Sequence, residues 1–166
     1  MELDITDTVS LEINKENSPK IKKDIIDIKE LIDQSEYSKV LKEIYDIADD
    51  IYNELGTGFS EYIYHRSFEV GLQEKGLKYE SKKIIPVYYK ERNVGYGEAD
   101  LVVQIPEEDK KIIIELKAIY NNPRELEIAQ VKTYLKYIKN SCIGVLINFP
   151  QPGTKEARKV IDFKLI

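Results

Sequence analysis

The sequence predicts an α/β fold, a mixed central β-sheet flanked by helices, and three observations lead to it. Two apolar runs, Leu101-Val102-Val103-Gln104-Ile105 and Ile112-Ile113-Ile114, stand on either side of a polar Pro106-Glu107-Glu108-Asp109-Lys110 link, the pattern of an antiparallel hairpin. Apolar residues recur at helical spacing both before and after this hairpin. A third apolar run, residues 143–149, ends in Pro150-Gln151-Pro152-Gly153 and reads as a further buried strand. At 166 residues, 42% hydrophobic and 33% charged, the chain suits one domain with a sizeable core.

Residues 1–19 have no clear period and close on Asn17-Ser18-Pro19, so they read as an arm with a short strand near residues 9–13. From Lys20, the isoleucines at 21, 25, 28 and 32 mark an amphipathic helix that stops near Gln34-Ser35 and caps the domain or meets a partner. Residues 1–37 are therefore set apart as arm and capping helix, dispensable for the core formed by residues 38–166. A helix over residues 38–55 puts Val40, Leu41, Ile44, Ile47, Ala48, Ile51 and Leu55 on one face and ends at Gly56. Gly56-Thr57-Gly58 turns the chain into a helix over residues 60–75, where Glu61, Tyr64, His65, Phe68 and Leu72 share a stripe.

Gly76 ends that helix, and residues 77–80 and 84–89 read as strand, followed by a turn over residues 92–97. After the central hairpin, Asn122 is expected to cap a helix with Pro123 at its first position and Glu125 closing a capping box. Leu126, Gln130, Tyr134 and Ile138 form its i, i+4 stripe, while Lys132, Lys136 and Lys139 take other faces, solvated or in reach of a phosphate backbone. A last strand is expected near residues 160–165.

Charge interrupts the central hairpin where an apolar core should continue. Asp100 opens the first strand, and Glu115 and Lys117 break the second. Residues two apart on a strand share a face at roughly 6.6 to 6.8 Å, so Glu115 and Lys117 point the same way, and the antiparallel pairing sets Asp100 beside Glu115. Two such carboxylates can hold Mg2+ at roughly 2.0 to 2.1 Å through one oxygen each, leaving room for water and phosphate. Glu61 is costly to bury on its helix unless paired or metal-bound, although a first-turn Glu also complements the helix dipole.

Asp100, fourteen intervening residues, then Glu115-Leu116-Lys117 resembles the D…E-x-K core of the PD-(D/E)xK nuclease superfamily. E-x-K occurs three times, at Glu80, Glu108 and Glu115, and only the third follows an apolar strand. Gly58-Phe59-Ser60-Glu61-Tyr62-Ile63-Tyr64 fits G-x-x-E-x-x-Y, the pattern of the GxxExxY branch of that superfamily. Pro86-Val87-Tyr88-Tyr89-Lys90, Ala99-Asp100-Leu101, Ala129-Gln130 with Tyr134-Leu135-Lys136, and Gly144-Val145-Leu146 follow in the family's order, so the resemblance covers roughly residues 40–166.

The resemblance implies a restriction-endonuclease-like core and Mg2+-dependent phosphodiester hydrolysis of DNA or RNA, with Mn2+ able to substitute. It implies Asp100, Glu115 and Glu61 as metal ligands, Lys117 as a catalytic positive charge, and Gln130, from a Q-x-x-x-Y pair with Tyr134, as a residue that orients phosphate or water. Tyr134 is equally a core residue on pattern alone. The chain departs from the family at Glu98, where a basic residue, often arginine, is usual. The alternative from another class is an inactive nuclease fold that serves as a nucleic-acid or protein binding scaffold.

Other chemistries lack their residues. A single cysteine, Cys142, leaves no internal disulfide or cysteine-rich zinc site, and one histidine, His65, leaves no nucleophilic triad. His65 lies one turn beyond Glu61, either near the metal or purely structural. No P-loop, repeat or membrane-length apolar run is present, and the acidic start lacks a signal-peptide layout, so an intracellular, cytoplasmic protein is expected. The net charge of −5 argues against a generic polyanion binder; the first 40 residues carry ten acids and six bases, and the rest is almost balanced.

Overall fold

The structure is a computed structural model that describes residues 27–166. The expected strand near residues 9–13 and the first turns of the helix from Lys20 lie outside the described residues. What is described of that helix is α1 (Ile28–Gln34), capped by Asp27, whose side chain accepts from the Lys29 N–H at 3.2 Å. Next come α2 (Ser38–Leu55) and α3 (Glu61–Glu74), the first with the expected bounds and stripe, ended by Gly56 at φ 66°. The strands are β1 (Tyr79–Tyr89), β2 (Arg92–Gln104) and β3 (Lys111–Lys117); α4 (Glu125–Tyr137) then leads to β4 (Ser141–Asn148) and β5 (Asp162–Leu165).

The five strands form one mixed sheet in the order β1-β2-β3-β4-β5. Only β3 and β4 run parallel, and α4 makes the crossover between them. Alternation along the central strands divides the interior. Leu101, Val103, Ile112, Ile114 and Leu116 turn into a large core with α1, α2 and α3, while Val102 and Ile113 join Tyr134 and Ile138 in a smaller core under α4. The central hairpin thus sits between the α3 and α4 layers, as the pattern predicts for a mixed sheet with flanking helices.

Two local expectations are corrected. The chain reverses at Lys90-Glu91, both at positive φ (46° and 63°), so residues 92–97, expected as a turn, belong to β2. A turn with two non-glycine residues at positive φ carries none of the Asn-Gly chemistry that marks hairpins in a sequence. The fourth helix starts later than expected: Arg124 is its N-cap, and Glu127 rather than Glu125 accepts from the cap N–H, at 2.8 Å. Asn122 is drawn away by a tertiary partner, accepting a hydrogen bond from Arg158. With that shift Leu126 is 77% exposed, and Val131, Tyr134 and Ile138 make the buried face. Val131 packs on Gly144 of β4, where a side chain would collide with it.

Ile32 ties α1 to the main core. It is 2% exposed and packs with the α2 and α3 apolar residues, although its helix falls in the segment set apart by sequence.

Candidate functional site

The β2–β3 ladder runs from Gln104↔Lys111 to Leu101↔Ile114, which makes Asp100 and Glu115 the next opposed pair. There, side chains take over the hydrogen bonding. The Leu116 N–H donates to Asp100 Oδ2 at 2.8 Å, and the Asp100 N–H points to Glu115 Oε2 at 3.5 Å. Both carboxyl groups are buried, so each N–H offsets part of the desolvation of the carboxylate it meets.

Two lysines face them. Lys117 Nζ lies 3.6 Å from Glu115 Oε1, on the same strand two residues on. Lys82 Nζ lies 2.6 Å from Asp100 Oδ1 and 3.6 Å from Glu98 Oε1. The sequence reading gave Lys82 no role. It closes the Glu80-Ser81-Lys82 occurrence of E-x-K, which no apolar strand precedes, and it holds φ 51° inside β1, a left-handed conformation uncommon for lysine. Glu98, the departure from the family pattern, is in this structure the second partner of that lysine.

Glu61 reaches the same end of the sheet from the first turn of α3. Burial raises its pKa above the ordinary carboxylate value, with Lys117 and Lys82 lowering it and Asp100 raising it. The G-x-x-E-x-x-Y residues hold this turn in place. The Gly58 N–H donates to Gln151 Oε1 at 2.8 Å, and the Tyr64 hydroxyl donates to the Gly56 carbonyl at 2.6 Å. Gln151 Nε2 also donates to the Tyr64 hydroxyl at 3.0 Å, and the Tyr64 ring stacks on Phe149 with centroids 4.5 Å apart. Gln151 therefore joins the loop before α3 to the segment after β4, a contact no local pattern announces.

Glu115 is pushed up to about 7, first by burial and then by the charge of Asp100, against the opposing pull of Lys117 and the Asp100 N–H. With Glu98 on Lys82 and Glu61 under the influence of both lysines, four carboxylates share two positive charges. The donor chemistry, two hard oxygen ligands side by side, fits a divalent cation such as Mg2+ that keeps most of its water. Among the described residues no group of three or more His, Cys, Asp or Glu side chains is set to enclose a metal.

The remaining sequence candidates fall nearby but with other partners. Gln130 Nε2 donates to the Tyr134 hydroxyl at 2.8 Å, and Tyr134 is buried under the sheet against Gly97 of β2. His65 is buried, with Nε2 2.8 Å from Ser81 Oγ and 3.8 Å from Glu69 Oε2. Burial and the charge of Lys82 hold its pKa down. Its Nδ1 is the buried side-chain atom without a hydrogen-bond partner among the described residues.

No helix among the described residues is long and apolar enough to cross a membrane. No curated protein matches the chain. A solved structure described as "Crystal structure of SSO0001" is similar over 64% of this chain and 49% of its own, with 19% identity and a TM-score of 0.48. The chain thus spans about half the length of that protein. The family comparison reaches further: residues 38–160 match the PD-(D/E)XK nuclease superfamily. That span runs from the start of α2 past the end of β4 and takes in the opposed carboxylates, both lysines and Glu61, and by that match the chain belongs to the PD-(D/E)XK nuclease superfamily.

Proposed function

We propose that this protein is a metal-dependent nuclease that hydrolyses phosphodiester bonds in DNA or RNA, with Asp100, Glu115 and Lys117 at its centre and residues 38–166 as its catalytic domain. The observation that carries the reading is the opposed, buried pair of Asp100 and Glu115, with the Leu116 N–H on Asp100, the Asp100 N–H turned to Glu115, and Lys117 facing Glu115. Buried carboxylates at the end of a central hairpin cost stability, and structural reasons alone do not favour them. The G-x-x-E-x-x-Y residues support placement in the GxxExxY branch.

Asp100 and Glu115 would hold Mg2+, or Mn2+ in its place, with Glu61 completing the shell directly or through water. Such an ion lowers the pKa of bound water and offsets charge on the scissile phosphate. Lys117 is placed to neutralise charge that develops at the phosphate or to steer the attacking water. Gln130 gives one Nε2 hydrogen to Tyr134, and its Oε1 and second N–H are left for substrate or water. The half-exposed Lys82 can exchange Asp100 for a phosphate oxygen once a cation takes its place.

A second reading, a nuclease fold that binds without cutting, has one observation in its favour: Lys82 already occupies an oxygen of Asp100. Cleavage of labelled single-stranded and duplex DNA and RNA in Mg2+, Mn2+ or EDTA separates the two. The nuclease reading expects metal-dependent cutting that Glu115→Gln abolishes. Absence of cutting on every substrate in both metals favours the binding scaffold.

A further inference from the structure

The β1–β2 hairpin extends past the site as a two-stranded ribbon whose faces differ. Ile85 and Ala99 are buried on the side that meets Tyr134 of α4. The register pairs Ile84 with Glu98 and Pro86 with Tyr96; it shifts after Val87, where β2 carries an extra residue, and Tyr88, two residues beyond Pro86 on the unbroken β1, stands opposite Asn93. This second face is open. Ile84 and Tyr88 are each 55% exposed, and Tyr96 is 70% exposed. A solvent-facing antiparallel ribbon ordinarily carries polar residues there, so a row of apolar and aromatic side chains calls for a partner.

Three further observations indicate which one. The row leads into the carboxylates: Glu98 shares Lys82 with Asp100, and Tyr96 stands four residues from Asp100, about 13 Å along an extended strand. That is the span of about two nucleotides. The ribbon tip, Lys90-Glu91-Arg92, carries one net positive charge in a chain whose net charge is −5. Finally, its turn sets Lys90 and Glu91 at positive φ, where Asn-Gly would be less strained, so a charged tip is kept at a conformational cost.

We infer that this face is a stacking platform for single-stranded nucleic acid, Tyr88 and Tyr96 taking unpaired bases while Lys90 and Arg92 meet the backbone, and that it feeds the strand to the site. The inference rests on the nuclease reading for its substrate. Stacking requires unpaired bases, because a duplex hides their faces. The substrate class is therefore single-stranded DNA or RNA, or the single-stranded part of a larger substrate.

The test uses the full chain carrying Glu115→Gln, so that bound strands stay intact, and fluorescein-labelled 20-mers of deoxythymidine and uridine beside a duplex of equal length. The expected result is tighter binding to the single strands and about a tenfold loss for Tyr96→Ala, larger for Tyr88→Ala with Tyr96→Ala. Tyr96→Phe keeps the ring and should keep the affinity, and unchanged melting temperatures exclude a folding defect. Equal affinity for duplex and single strand, or alanine variants that bind single strands as well as the parent, overturns the inference. So does loss of a dimer in the alanine variants with oligonucleotide binding unchanged, since the face would then join two copies. Failure of the nuclease reading shows separately, as absence of cleavage by the unsubstituted chain in Mg2+ and Mn2+.

Discussion

Lys82 Nζ and Asp100 Oδ1 are 2.6 Å apart, a close ion pair between an edge strand and the buried end of its neighbour. Asp100 is buried while the lysine side chain is half exposed, so the pair holds a charge that its own strand cannot solvate. If Asp100 holds a cation as proposed, the ion would need the same oxygen, and Lys82 would then both support the metal-free protein and compete with the ion.

Lys82→Met is accordingly expected to lower metal-free stability by about 1–2 kcal/mol, less than for a fully buried pair because the lysine is half solvated. It should also increase affinity for Mn2+. Thermal melts without metal and with Mn2+, together with Mn2+ titration followed by electron paramagnetic resonance, check both effects. A melt that Lys82→Met leaves unchanged at every metal concentration would remove Lys82 from the site.

Glu115 sets a pH dependence whose sign follows from its raised pKa. The fold binds this proton more tightly than the unfolded chain, about 7 against an ordinary 4.5. The contribution to stability is complete below pH 4.5 and is lost as pH rises through 7, on the order of 3 kcal/mol in all. Urea unfolding of the metal-free protein between pH 4.5 and 8 should show this fall, and Glu115→Gln should flatten it. Added Mg2+ should stabilise the parent more at pH 8 than at pH 5.5, because protons compete with it for the same oxygen atoms.

Asp100→Asn and Lys117→Ala distinguish metal holding from charge stabilisation. The first should abolish metal-dependent cleavage and weaken Mn2+ binding while the protein remains folded. The second should reduce cleavage by about 10² or more with metal affinity nearly intact. Single-turnover cleavage and Mn2+ titration of both variants provide the comparison. A large loss of cooperative unfolding in either would indicate a structural ion network instead.

Ile32 supplies the last expectation. A chain that starts at Ser38 loses this buried side chain, and the cost should be about 2–4 kcal/mol with the fold retained, as for other large core deletions. Ile32→Ala in the full chain should account for much of that difference. Equal urea midpoints for the two lengths would make α1 a dispensable cap, as the sequence suggests.

The sequence by itself determined the α/β class, the central hairpin and the opposition of Asp100 to Glu115. Those follow from local periods: a two-residue alternation on strands and a turn-like link of fixed length leave little choice of partner. The α2 stripe and its glycine stop were equally local, as was the site motif on α3. Tertiary structure decided everything that depends on which distant group competes for a local one. Lys82 entered the site because β1 pairs with β2 at that register, and nothing in its neighbours distinguishes it from the other lysines of a chain one-third charged. Asn122 lost its capping role to Arg158, which moved the start of α4 and exposed Leu126. Gln130 turned to Tyr134, and Gln151 fixed the loop that carries Gly58, both by bonds formed only once the layers had packed. The open face of the ribbon is of the same kind: alternation named its two sides, and only the position of α4 decided which one would be covered.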